Sequence, residues 1–211
     1  MGFINQFDLG RIIREFGISN FFETGTWKGD AVEFALQFPF ERIISAEIVP
    51  IIAEAATLRF QQEKRVKIYQ ASSAVALSTE LPSLQGNCLF WLDAHFPGAD
   101  AGMAEYDAMK DENIRLPLEQ ELTIIHQHRK HFRDILIIDD LRVYEDGPYE
   151  NGNAPSDTIP KNDRNIDFAH RLFGETHAAL KSYRDEGYLL LVPGNDNKVK
   201  ASFSKDLFLS R

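Results

Sequence analysis

The chain has a single cysteine in 211 residues. Cys88 therefore has no partner for an internal disulfide, and no thiolate zinc cluster can be built. It sits in an apolar run, where a buried structural thiol is expected. Positive charge is scarce as well. Twenty-three Lys and Arg face 32 Asp and Glu, a formal charge of −9, and a uniform basic face that neutralises many phosphates is hard to assemble from such a composition. Nucleic acid is not an expected partner. Long apolar runs are missing too: stretches such as Ile135 to Ile138 and Leu189 to Val192 fall far short of the roughly 20 residues that cross a bilayer, so no membrane partner is expected. The opening residues MGFINQFDLG carry no basic region followed by an apolar stretch, and Gln6 stands where a myristoylation signal needs Ser or Thr. A cytoplasmic location is the expectation.

What is present is the composition of a folded α/β protein. Hydrophobic residues make up 44% and charged residues 26%, which argues against wholesale disorder. Short β-branched or aromatic runs alternate with stretches of helical spacing. The runs predict strands at Ile18 to Glu23, Arg42 to Glu47, Val66 to Gln70, Cys88 to Asp93, Ile135 to Asp139, Tyr188 to Val192 and Val199 to Phe203. Helices are predicted at Gln6 to Phe16, Asp30 to Gln37, Pro50 to Glu63, Ser72 to Thr79, Leu116 to His131 and Asp167 to Glu186. Pro193 to Lys198, rich in Gly, Asn and Asp, separates the last two strands and predicts an antiparallel hairpin between them. The expected fold is one doubly wound, Rossmann-like sheet of seven strands, five parallel plus a C-terminal antiparallel hairpin, with helices on both faces. Residues 1–211 are expected to form a single domain, since no repeat, low-complexity tract or linker interrupts them. Two insertions, at 96–115 and 141–165, follow strand C-termini, where open α/β sheets bind ligands, and are expected to act as lids.

After the first strand comes Glu23-Thr24-Gly25-Thr26-Trp27-Lys28-Gly29-Asp30. A strand, a tight glycine turn and a helix start form a nucleotide-binding loop, because glycine lets the backbone approach a ligand closely. Glu47 closes the second strand 22 residues beyond Gly25, where a carboxylate can accept hydrogen bonds from both ribose hydroxyls. Spacing alone would suit a nicotinamide dinucleotide or an adenosine ligand. Glu23 decides between them: a dinucleotide fingerprint has glycine at this position, and a carboxylate would repel the pyrophosphate. S-adenosylmethionine carries cationic ammonium and sulfonium groups and no phosphate, so the acid favours it.

In this loop and strand order the chain resembles the class I S-adenosylmethionine-dependent methyltransferases, and the E-T-G-T-x-x-G form is most similar to the branch containing macrocin O-methyltransferase and related sugar and natural-product enzymes. The resemblance implies S-adenosylmethionine as cofactor, held by Glu23, Gly25, Thr26, Gly29, Glu47, Ser72 and Asp93. Ser72 is included because Gln70-Ala71-Ser72-Ser73 lacks the acid that commonly helps to hold adenine after the third strand. The implied activity is O-methylation of a small-molecule acceptor, a sugar or glycosylated metabolite. Methyl transfer without metal, to oxygen or nitrogen, and a non-catalytic adenosine-binding module are the alternatives, and a homo-oligomer stays open.

Three further acids fall at strand C-termini: Asp93 in Leu92-Asp93-Ala94-His95, and the pair Asp139-Asp140. Strand order should bring them together, and a cluster of carboxylates calls for protons or a hard cation. In the resembled enzymes acids at matching strand ends hold a divalent metal, which makes Asp93, Asp139 and Asp140 candidate ligands of an ion, expected to be Mg²⁺. Against this, Asp139 and Asp140 can face one ion only if the strand has ended. Asp93 and His95 are the candidate catalytic residues, with His95 either taking the acceptor proton or orienting Asp93. His126, His128 and His131 are expected on solvated helix surface, since a spacing of two does not share a helix face.

Overall fold

β-branched and aromatic runs bounded by turn residues give this chain its strands, and the computed structural model, which describes residues 3–99, 101–194 and 208, places them in one mixed sheet. In chain order the elements are α1 (Leu9–Phe16), β1 (Ile18–Thr24), α2 (Asp30–Ala35), β2 (Arg42–Glu47), α3 (Pro50–Arg59), β3 (Val66–Gln70), α4 (Ser73–Glu80), β4 (Asn87–Leu92), α5 (Glu112–Arg115), α6 (Leu118–Arg129), β5 (Ile135–Ile138), α7 (Asp167–Phe173), β6 (His177–Ser182) and β7 (Tyr188–Pro193). The sheet order is β3-β2-β1-β4-β5-β7-β6. The first five strands in that order run parallel, and β7 is antiparallel to both β5 and β6. The chain order reverses between β1 and β4, which opens a crevice at the strand C-termini.

The central strands are hydrophobic without a break because both faces are covered. Along β4 the side chains alternate. Cys88, Phe90 and Leu92 pack with Phe22 of β1 and with helices α4, α6 and α7. Leu89 and Trp91 point the other way, into a second core with Phe21, Ile12 of α1 and Val32 of α2. Burying residues of this size contributes roughly 1.5–3 kcal/mol each. Cys88 is buried as a free thiol, as expected, and burial pushes its pKa up. The core is closed at the strand N-termini by Arg129, whose guanidinium bonds both oxygens of Asp134 at 2.8 and 2.9 Å. No helix among the described residues is long and apolar enough to cross a membrane.

The hairpin is where the structure departs from the sequence expectation. It pairs β6 with β7, and His177 to Ser182 therefore extend as a strand inside the stretch read as a helix from Asp167 to Glu186. Helix α7 stops at Phe173, ahead of Gly174. The turn is Tyr183 to Gly187, with Asp185 at φ 49° and Gly187 at φ 88°. Gly187 is needed on two counts, since a β-carbon there would also lie 2.2 Å from the Tyr149 ring. The strand expected at Val199 to Phe203 lies outside the described residues.

Candidate functional site

The glycine loop lies at the C-terminal end of β1, in the crevice. Gly25 has φ 84°, and a β-carbon on it would lie 2.6 Å from the carbonyl oxygen of Asp93. Only glycine lets β1 and the chain leaving β4 approach so closely. The Gly25 and Thr26 amides donate to the Ala46 carbonyl at 2.9 and 3.2 Å, which holds the loop against β2. Gly29, at φ 82°, precedes α2, and its missing side chain leaves room for the Phe60 ring.

Three side chains form a buried relay under this loop. The Thr26 hydroxyl lies 2.6 Å from that of Ser45, and the Ser45 hydroxyl donates to Glu23 at 2.5 Å. Burial pushes the Glu23 carboxyl up to about 8, with the charges of Glu47 and Asp30 adding to it against the Ser45 hydrogen bond. Glu47 ends β2. Its two oxygens accept from the amides of Trp27 at 3.1 Å and Val49 at 2.8 Å, which fixes the carboxylate while leaving lone pairs for a ligand. Ser72 caps α4 by accepting from the Val75 amide at 3.4 Å.

Glu23, Gly25, Thr26, Glu47, Ser72 and Asp93, all read from sequence as cofactor residues, line one cavity of about 430 Å³, together with His95. Gly29, also read as a cofactor residue, does not line the cavity and lies at the N-cap of α2. The cavity also has walls that the sequence did not suggest. Phe3, Ile4 and Asn5 form one side with Trp91 and Phe34. This N-terminal segment is tied to the hairpin: Gln6 donates to Asp185 at 2.5 Å and to the Tyr188 hydroxyl at 3.0 Å.

Strands β4 and β5 end at Leu92 and Ile138, so Asp93 and Asp139 lie just past the sheet, one residue shorter than expected in each case. Asp140 takes a left-handed conformation at φ 51°, and its amide donates to Asp139 at 2.8 Å. The three acids do come together, and His95 stands among them. Its Nε2 lies 2.9 Å from an Asp140 oxygen and its Nδ1 3.5 Å from an Asp93 oxygen. Burial would lower the His95 pKa, but the hydrogen bond and charge of Asp140, with Asp93 and Asp139 behind, push it up to about 10. Burial would raise Asp140, yet His95 and Arg142 hold it below the usual carboxylate range. Burial, then the charge of Asp140, pushes Asp139 up to about 7. Asp93 is raised well above its ordinary value by burial and by Asp139.

The His95 ring stands between the carboxylates of Asp93 and Asp140, which with Asp139 are read from sequence as ligands of a divalent ion, and among the described residues no three His, Cys, Asp or Glu side chains are grouped as a metal site. With its Nε2 held by Asp140 and its Nδ1 facing Asp93, His95 is placed to orient Asp93, one of the two roles read for it from sequence. The three histidines of the α6 region behave as expected in part: His128 and His131 are exposed, while His126 is half-buried with its ring edge against Phe173.

The two insertions divide unequally. Phe96, Pro97, Gly98, Asp111, Asn113 and Ile114 of the first line the cavity, and no described residue of 141–165 does. Tyr144 and Tyr149 of the second are buried in the core. Glu121 was missed by sequence reasoning. It is buried beside a small second cavity shared with His95, Asp139, Asp140 and Tyr144, and burial pushes it up to about 7. The signal was its place in the apolar spacing Leu118, Glu121, Leu122, Ile125.

Solved structures that share this architecture include methyltransferases. A Podospora anserina methyltransferase with S-adenosylhomocysteine bound is 16% identical, with a TM-score of 0.56 over 87% of this chain and 75% of its own. An S-adenosylmethionine-dependent methyltransferase from Aquifex aeolicus is 10% identical, with a TM-score of 0.52 over 90% of each chain. The methyltransferase domain of a bacterial Hen1 is 13% identical, with a TM-score of 0.54 over 90% of this chain and 98% of its own. No family model matches the chain, and a search among curated proteins finds no match. At these identities the likeness establishes the fold alone, a seven-stranded mixed sheet shared with these methyltransferases.

Proposed function

We propose that the chain is an S-adenosylmethionine-dependent methyltransferase that methylates a hydroxyl of a small acceptor, a sugar or glycosylated metabolite, without a bound metal. One observation carries the reading. The fixed Glu47 carboxylate and Gly25, whose lack of a side chain lets the loop sit close against the Asp93 backbone, line the same 430 Å³ cavity, a size that suits a small-molecule ligand. Glu47 accepts the two ribose hydroxyls, Gly25 admits the methionine portion, and Glu23 faces its cationic groups. The cofactor supplies an electrophilic methyl group. What remains for the protein is to place an acceptor oxygen in line with it and to take its proton.

Asp93 is suited to the proton. It lines the cavity, and burial with the Asp139 charge raises its pKa, which makes its ionised form a stronger base than an ordinary carboxylate. His95, pinned by Asp140 and facing Asp93, balances the charge that Asp93 would otherwise leave buried. The metal-free form of the reaction is favoured over the metal-assisted one because His95 occupies the space between Asp93 and Asp140.

Calorimetric titration with S-adenosylhomocysteine tests the cofactor assignment. Wild-type protein should bind it saturably, and Glu47→Ala should lose about 1.5–3 kcal/mol, the value of hydrogen bonds to a charged group. Equal affinity in both proteins would overturn the assignment. Labelled methyl transfer to a panel of free and glycosylated polyols then tests the acceptor class.

A further inference from the structure

The second insertion, residues 141–165, borders none of the main cavity among the described residues, yet it is tied to the residues that do. At its root Asp140 holds His95 Nε2 at 2.9 Å. Farther along, it meets Arg115, which belongs to the first insertion and is 1% exposed. The Arg115 guanidinium donates to the carbonyls of Asp157 and Ile159 at 2.7 and 3.1 Å, to the Tyr106 carbonyl at 3.0 Å and to Glu112 at 2.8 Å. Glu112 also accepts from the Lys161 amide at 3.2 Å. A planar fork with several fixed donors can span two backbone segments in this way, whereas an ammonium group cannot reproduce the pattern.

Arg115 also reaches toward the cavity. Its carbonyl accepts from the Phe96 amide at 2.9 Å, and its guanidinium lies 5.2 Å from the Phe96 ring centroid, within cation–π range. Phe96 is buried and has φ 45°, a conformation that non-glycine residues hold only when their surroundings impose it. Its ring meets the His95 ring edge-on at 5.0 Å and 77°. A contact chain thus runs from Asp157 and Ile159 through Arg115 and Phe96 to His95.

We infer that Arg115 is a positioning residue, which through Phe96 makes the orientation of His95 depend on the second insertion. The inference rests on the methyltransferase reading for the role of His95, but the contact chain is independent of it. A purely structural Arg115 would hold the insertions together and leave the His95 ring indifferent.

The test uses the full chain, labelled with ¹⁵N-histidine, free and with S-adenosylhomocysteine, with the His95 ring signal identified by its disappearance in His95→Gln. In Arg115→Met the His95 ring signals should move from their wild-type positions, and the Thr158 amide should exchange about tenfold faster as charge-assisted bonds to its neighbours are lost. In Phe96→Leu the ring signals should move while Thr158 keeps its protection, because the Arg115 bonds remain. Wild-type ring positions in both variants would overturn the inference, and so would movement in Arg115→Met alone, since Phe96 would not then be the link. Should Arg115→Met fail to fold, Arg115→Lys, which keeps charge and stem, takes its place with the same two readouts. Failure of wild-type protein to bind S-adenosylhomocysteine would instead count against the methyltransferase reading, and the ligand-free ring signals would still decide the role of Arg115.

Discussion

His95 Nε2 lies 2.9 Å from Asp140 Oδ2, and this contact gives the fold a contribution to stability that depends on alkaline pH. The folded-state pKa of His95 is raised from 6.5 to about 10, against a burial effect that alone would lower it. A raised value means that stability is fully present below 6.5 and is lost as pH rises through 10. Thermal unfolding followed by circular dichroism should show the midpoint falling over that window, and Asp140→Asn should flatten the fall by removing the main attraction. An unchanged slope in Asp140→Asn would show that the pair is not what titrates.

Removal of divalent ions should leave the reaction intact. With His95 supplying the positive charge between Asp93 and Asp140, treatment with a chelator should change neither S-adenosylhomocysteine affinity nor the methyl-transfer rate on an accepted substrate. A rate that collapses with chelator and returns with Mg²⁺ would restore the metal-assisted reading and require His95 to swing away.

Cofactor binding should respond to pH through Glu23. Burial raises this carboxyl to about 8, so it is protonated in the empty cavity at neutral pH and must ionise to pair with a cationic ligand. S-adenosylmethionine affinity should therefore rise as pH increases from 6 toward 8 and level off above it, with proton release visible as a dependence of the binding heat on the buffer. Glu23→Gln should abolish both effects.

Gly25→Ala should be costly twice over. The substitution places a carbon 2.6 Å from the Asp93 carbonyl and asks alanine to hold φ 84°. A residue forced into that region costs about 1–3 kcal/mol before the clash is counted. Chemical denaturation should show a clear loss of stability, and titration should show no cofactor binding. Wild-type affinity in the variant would mean that the loop is not the cofactor cradle.

Strands β2 and β3 were legible in sequence residue for residue, because Arg42 to Glu47 and Val66 to Gln70 carry β-branched runs between clear breakers. The crevice followed from strand order alone, and so did the convergence of Asp93 with Asp139 and Asp140. The hairpin was misplaced for a physical reason. Strand β6 reads His-Ala-Ala-Leu-Lys-Ser, whose two alanines favour helix in isolation. Its extended form comes from pairing with the apolar β7, a contact that local propensity does not register. The entry of His95 between the acids depends on how the chain turns after β4, through Phe96 at positive φ. Arg115 and Glu121 were passed over because a charged residue within an apolar stretch reads as surface until the partner segment that buries it is known.

The tie between Gln6 and the β6–β7 turn has a practical side. Phe3, Ile4 and Asn5 face the cavity, and the hydrogen bonds to Asp185 and Tyr188 fix where they lie. Gln6→Ala, which removes both bonds, would leave that wall anchored less firmly, so the cavity's preference among apolar ligands would depend on a residue that does not itself line it.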